Sequence, residues 1–352
     1  MVEAMVVAVG TVPPLARRSG PQEPLAVDAA LLVAGLAGFV VGCYSWLGVA
    51  GGGRVGVTVV SLAVTGVAAW RLLRHRWSGQ QLGLWLSLGW LSLVAGAAIF
   101  ADVLPLREAR EPSKTLADPI LLRPDLLSSH PLGTDRAALD MLGGVVYGAR
   151  VSLTVGFGAV ALGLVIGVPI GIAAGYFRRR YETAIDFVTN VMLAFPPVIL
   201  LLAMVSIVSP SMFNLAVALG VLMVPIYVRI AKLNTLTCAE RDFVRAAEVI
   251  GATRRRILAH EIFPCVVPPV GAYAVVVLAS AIVAEASLSY LGLGIQRPEP
   301  TWGNMIAAGQ DSFRDNPHLV FVPGTALVAT VLALNTLSNV LRRRTDTRET
   351  SR

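Results

Sequence analysis

Charge is scarce in this 352-residue chain. Asp, Glu, Lys and Arg together supply 14% of it, against about 25% in soluble domains. A surface so poor in charge cannot be wetted throughout, so a soluble enzyme is excluded and much of the surface must face lipid. Nucleotide chemistry is missing too: there is no Gly-x-x-x-x-Gly-Lys-Ser/Thr loop to cradle phosphates. Cys43, Cys238 and Cys265 lie far apart, show no metal-ligand spacing, and read as unpaired thiols. The four histidines, His75, His130, His260 and His318, fall in loops or flanks. Neither a metal centre nor a nucleophile–base pair is therefore built at membrane depth, which excludes an intramembrane enzyme. No signal peptide is expected, because the apolar stretch Met5–Val9 is short and has no basic flank before it. Acids are almost absent from the apolar runs. Asp102, Asp186 and Glu285 stand near run ends and no internal repeat is visible, which argues against an ion-driven secondary carrier.

What the chain has is apolar length. Hydrophobic residues make up 55% and mean hydropathy is +0.69. A membrane helix needs about 20 mostly apolar residues. Eight runs qualify: Ala29–Ala50, Val55–Leu73, Leu82–Leu104, Ala149–Gly175, Asp186–Val208, Asn214–Ile230, Val266–Leu288 and Leu319–Leu341. The net charge of +7 is concentrated in arginine clusters beside these runs, at Arg71–Arg76, Arg178–Arg180, Arg254–Arg256 and Arg342–Arg344. Clusters so placed mark cytoplasmic flanks and not a nucleic-acid surface. Alternation then puts both termini inside, with Leu106–Gly148 and Ser289–His318 among the outer loops. The expected fold class is an all-α polytopic membrane protein of about eight helices in a cell (inner or plasma) membrane. Two runs within 29–81 follow a cytoplasmic tail (1–28). A six-helix core over 82–344 precedes a second cytoplasmic tail (345–352).

Within the fourth run, Gly163, Gly167, Gly171 and Gly175 recur every four residues, one bare stripe along a helix face where a second helix can approach closely. Pro196–Pro197, Pro225 and Pro323 are placed to kink their spans.

The segment 231–264 is unlike the other loops, being too polar for lipid yet helical in pattern. Phe243, Ala246, Ala247 and Ile250 recur at i, i+3, i+4 and i+7. Asp242 is placed to cap the start and Gly251 to end the first helix, with Thr253 capping a second through His260. Such a helix fits a groove on another protein; the arginine run equally suits lipid headgroups. Here the chain resembles the "EAA loop" of membrane subunits of binding-protein-dependent ABC importers. That loop reads Glu-Ala-Ala, three residues, Gly, and Pro thirteen positions later. Ala246, Ala247, Gly251 and Pro264 match at full spacing, while Arg245 stands at the Glu position.

Three further stretches resemble the dipeptide, oligopeptide and nickel permease branch. They are His130–Asp135 (His-Pro-Leu-Gly-Thr-Asp) with Tyr147–Leu153, Gly171–Leu200, and Ala286–Ile306. Before Asp140 the branch carries Gly-Arg and this chain carries Ala138-Leu139. The resemblance spans Leu82 to Arg344 and points to the "C"-type subunit of a permease pair. It implies a type I ABC importer transmembrane domain, a permease that is not itself an enzyme. It also implies a homologous second permease, two ATPase subunits holding ATP and Mg, and an extracytoplasmic solute-binding protein, with no cofactor or metal on this chain and no nucleic acid. Phe243, Arg245, Ala246, Ala247, Ile250, Gly251 and Pro264 are the implied ATPase-coupling residues. Leu293, Gln296, Pro298 and Trp302 are candidates for docking the binding protein. Peptides are the expected solute; nickel or another small solute is the alternative within the same complex.

Overall fold

The structure, a computed structural model, describes residues 79–104, 106–115, 118–125, 128–177, 180–196, 199–201, 203 and 211–350. The expected spans Ala29–Ala50 and Val55–Leu73 lie outside the described residues. Regular structure among the described residues is helical. In chain order it comprises α1 (Gly79–Ile99), α2 (Met141–Phe177), α3 (Arg180–Ala194), α4 (Met212–Ala239), α5 (Asp242–Val249), α6 (Arg254–Ile257), α7 (Phe263–Tyr290), α8 (Trp302–Gln310) and α9 (His318–Thr350). A π turn, Leu258–Ile262, joins α6 to α7. Among the described residues five stretches are long and apolar enough to cross a membrane: Leu82–Ile99, Met141–Phe177, Met212–Ala239, Arg254–Tyr290 and His318–Arg343.

The packing of α2 on α4 shows how the bundle runs. Gly158 faces Ala216, Gly163 faces Tyr227, Gly171 faces Val228 and Gly175 faces Thr235, so the two helices are parallel. A Cβ built on Gly163 would stand 2.9 Å from the Tyr227 ring, and one on Gly167 2.8 Å from the Val224 carbonyl oxygen. At Gly175 it would stand 2.7 Å from Thr235 Cβ. The bare stripe is thus occupied by α4 backbone and side chains. The helix α7 runs opposite to α2, with Ile282 against Gly156 and Glu285 bonded to Ser152. The helix α9 runs opposite to α1, with Thr336 against Gly83 and Thr330 Oγ1 accepting from the Trp90 indole N–H at 3.0 Å. One end of the bundle therefore gathers the segments 100–140 and 291–317, and the other gathers 232–262.

Several boundaries differ from expectation for local reasons. The span expected over Asp186–Val208 is helical from Arg180 to Ala194, breaks at Phe195 and Pro196, and is helical again at 199–201 and 203. The backbone of Phe195 is pushed away from the helical region by Pro196, whose carbonyl then accepts from Ile199 N and Leu200 N. Residues 197–198, 202 and 204–208 of that expected span are outside the described set. Pro225 and Pro323 sit inside α4 and α9. The helix α4 starts where the Ser211 hydroxyl accepts from Asn214 N at 3.1 Å. It continues past Ile230 to Ala239 because the Lys232 ammonium is met by Glu182 at 2.9 Å and Asp186 at 2.6 Å from α3. The 37-residue α2 is about 55 Å long, well beyond the ~30 Å hydrocarbon layer.

The expectation of unpaired thiols is also corrected. Cys238, in the last turn of α4, and Cys265, in the first turn of α7, form a disulfide with Cα atoms 6.5 Å apart. Sequence separation hid a proximity created by the antiparallel return of α7. Cys43 lies outside the described residues.

Candidate functional site

Two surfaces at opposite ends of the bundle hold the residues singled out above. At the first, α5 is a short amphipathic helix fastened to the bundle on one side. Val244 is its buried anchor, 1% exposed, and Ala247 beside it is half-buried. On the opposite side Phe243, Val249 and Ile250 are uncovered, the last two 88% and 85% exposed, with Ala246 between them also exposed. Apolar side chains so exposed at the end of a helix have no packing role among the described residues; they are placed to enter a partner. The arginines Arg245, on α5, and Arg254, Arg255 and Arg256, on α6, are exposed.

The end of α5 is closed by a Schellman motif. Gly251 has φ +83° and donates to Glu248 O, while Ala252 N donates to Ala247 O, both at 3.0 Å. The second member of the Ala-Ala pair thus supplies the acceptor that the left-handed glycine makes reachable. The capping expected of Asp242 is corrected: Arg241 is the N-cap and Asp242 the first helical residue, where its charge opposes the helix dipole favourably. Thr253 holds the N-cap position of α6 with no side-chain cap bond. The second helix does not end at His260. It passes through the π turn into α7, and Pro264 sits in the first turn of α7, where a missing N–H is tolerated.

At the other end, the His130–Asp135 motif is a scaffold. The His130 Nδ1 meets Asp140 Oδ1 at 3.1 Å, both side chains buried, and Asp140 Oδ2 accepts from Gly143 N at 2.7 Å to cap α2. The Thr134 hydroxyl donates to Pro119 O at 2.7 Å and accepts from Leu122 N. The Asp135 Oδ1 accepts from Ala137 N and Leu139 N, while its Oδ2 takes the Arg297 guanidinium at 2.8 Å. Arg297 thereby ties the loop after α7 to the loop before α2. Nearby, Asp102 is bonded to Arg150, whose guanidinium holds its carboxyl below the usual carboxylate range against the opposing effect of burial.

Within this frame Ala138 adopts φ +57°, at the position where the related branch carries Gly. A left-handed alanine costs about 1–2 kcal/mol. Ala138→Gly is therefore expected to raise stability by about 1 kcal/mol. The midpoint of thermal unfolding in detergent should rise, and a fall would refute the strained turn.

The four docking candidates do not form one surface. Trp302 is corrected outright, being fully buried. Its indole N–H donates to Val145 O at 3.1 Å, and its ring edge stands beside Gly148. The tryptophan fastens α8 to α2, helped by a capping box between Thr301 and Asn304. Leu293 is half-buried against the core. Gln296 and Pro298 are exposed, but the Gln296 amide turns back onto Gly292 O. Trp302→Ala should cost about 3–5 kcal/mol and lower the unfolding midpoint in detergent sharply. Wild-type stability would show that the ring is not packed as described.

Two residues escaped the sequence reading. Val244 lacked the bulk that drew attention to Phe243, although its spacing to Ala247 marks a second apolar face. Glu285, read as terminal to its span, is fully buried. It accepts from the Ser152 hydroxyl at 2.6 Å and the Ser289 hydroxyl at 2.7 Å, joining α7 to α2.

Comparison with known proteins bears on both ends. The family of binding-protein-dependent transport system inner membrane components matches residues 167–351. A dipeptide transport system permease protein, DppC, of Alkalihalophilus pseudofirmus is 35% identical over 247 residues, covering 70% of this chain and 79% of the relative. The di/tripeptide transport system permease protein DppC of Pseudomonas aeruginosa is 33% identical over 254 residues, covering 71% and 83%. A glutathione transport system permease protein, GsiD, of Pectobacterium atrosepticum is 34% identical over 215 residues, covering 61% and 71%. Among solved structures, the inward-facing MetNI methionine ABC transporter superposes with TM-score 0.50 at 20% identity, covering 58% of this chain and 97% of that one. The likeness in structure is one of fold.

Proposed function

This chain belongs to the family of binding-protein-dependent transport system inner membrane components, and on that premise we propose that it forms half of a translocation pathway for peptides. The other half is a homologous second permease. Two ATPase subunits holding ATP and Mg supply the work, and an extracytoplasmic binding protein delivers the solute. Both termini and the segment 231–264 are cytoplasmic. The observation that carries this reading is the uncovered apolar face Phe243–Ala246–Val249–Ile250 on a helix anchored by Val244 and ended by Gly251. This face docks on an ATPase. Closure of the ATPases around ATP displaces α5, and that displacement biases the bundle between inward- and outward-facing states. Peptides are chosen because the relatives named above carry peptide or glutathione in their names.

Affinity purification from mild detergent followed by mass spectrometry tests the reading. Recovery of a second permease and Walker-motif ATPases supports it, and the accompanying binding protein identifies the solute. Recovery of the chain by itself, with transport in proteoliposomes driven by an ion gradient, would overturn it.

A further inference from the structure

The segment that carries α5 is a covalently closed loop. Cys238 and Cys265 are 27 residues apart, and their bond joins the last turn of α4 to the first turn of α7. These are the two helices that flank α5. Cys238 is 3% exposed, whereas Cys265 is half-buried and the more accessible residue of the pair. Inside the loop α5 is held by Val244 with Ala247 packed beside it, and the next wholly buried side chains are Ile257 and Ile262. Phe243, Val249 and Ile250 point the other way. The bridge thus adds a covalent constraint to the packing that sets the spacing of α4 and α7 at the root of the docking helix.

We infer that the Cys238–Cys265 pair is a redox-sensitive rivet: closed, it makes α4 and α7 move as one when α5 is displaced; opened, it lets the root part and weakens that transmission. The inference rests on the cytoplasmic placement of this loop in the proposed function. In that compartment disulfides are seldom permanent, and those that form are commonly sensors. The reductant is a low-molecular-weight thiol. Its thiolate attacks the Sγ of Cys265, forming a mixed disulfide and expelling Cys238 as thiolate, which takes up a proton. A second thiol then attacks the mixed disulfide, releasing the Cys265 thiol and the oxidised small molecule. Two thiols are consumed for each bridge opened, and a small disulfide closes it by the reverse steps.

The test uses the full chain in lipid nanodiscs in a Cys43→Ser background, so that only this pair responds. Trypsin cuts at Arg241, Arg245 and Arg254–Arg256, which makes cleavage a probe of root opening that does not depend on transport. Dithiothreitol should raise the cleavage rate in this segment about ten-fold. The Cys238→Ser/Cys265→Ser variant should be cut at the fast rate with or without dithiothreitol. In the assembled complex, solute moved per ATP should fall several-fold on reduction and be insensitive to reductant in the double variant. Equal cleavage of the Cys43→Ser protein with and without dithiothreitol would overturn the rivet, as would a non-reduced digest lacking the linked peptides. The cleavage difference without any transport would leave the rivet standing and count against the proposed function instead.

Discussion

Gly251→Glu is expected to lower solute uptake about ten-fold or more while the chain still inserts and folds. The glycine holds φ +83°, and any L-residue with a Cβ placed there costs about 1–2 kcal/mol. That is enough to displace the turn from its working geometry in most molecules, since 1.4 kcal/mol is about ten-fold in an equilibrium. The bonds Gly251 N to Glu248 O and Ala252 N to Ala247 O then lapse, and the apolar end of α5 frays. Nothing within 4 Å obstructs a Cβ at this site, so the defect is conformational and leaves the bundle intact. Gly251→Ala should share most of the loss, having the same backbone cost without the charge. Gly251→Asn should retain most activity, because asparagine tolerates the left-handed region. Uptake and ATP turnover measured in proteoliposomes decide the matter. Full coupling in both the Glu and Ala variants would remove this turn from the mechanism.

Gly171→Leu should prevent stable folding outright, at a cost above about 4 kcal/mol. A Cβ on Gly171 would stand 2.5 Å from Val228 O, 2.7 Å from Ala231 Cβ and 3.1 Å from Lys232 N. Two of these are backbone atoms of α4, so relief requires the whole helix to withdraw. That withdrawal forfeits the adjoining contacts at Gly167 and Gly175. Gly171→Ala should behave in the same direction at about 2 kcal/mol. Gly324, inside α9 with nothing near its Cβ position, supplies the contrast. Gly324→Ala should be neutral or stabilising by about 0.5–1 kcal/mol. Yield of folded protein and the unfolding midpoint in detergent distinguish the cases. A Gly171→Leu protein with the wild-type midpoint would contradict the α2–α4 approach.

What the sequence discloses here follows from how local each determinant is. Apolar runs marked the five spans found among the described residues because lipid selects composition over a continuous stretch of about 20 residues. The turn at Gly251 was legible because a left-handed C-cap and its neighbours are set within six residues. Features that depend on distant partners were not. The extension of α4 to Ala239 needs Glu182 and Asp186 around Lys232, which no window of α4 contains. Trp302 looked like a docking aromatic because its acceptor, Val145 O, is 157 residues away. The pairing of Cys238 with Cys265 appeared only once α7 folded back beside α4. Ala138 is a middle case: the missing glycine was visible, but its positive φ needed the bonds from Ala137 N and Leu139 N to Asp135.

The π turn between α6 and α7 sets a phase. From Arg254 to Tyr290 the chain crosses the bundle as one continuous screw, and the wider turn at Leu258–Ile262 accommodates one residue more than an α-helix would. An α-helix advances about 100° per residue. Deleting one residue there would let the rod close into regular α spacing with its hydrogen bonds intact. The three arginines would then keep their bearing relative to the buried side of α7, because the wide turn takes up the extra residue without turning its flanks. The wide turn is thus a buffer of bearing. A one-residue change in the regular α stretch on either side would swing what faces outward at one end by about 100° against what is packed at the other, and the turn is where such a change is absorbed.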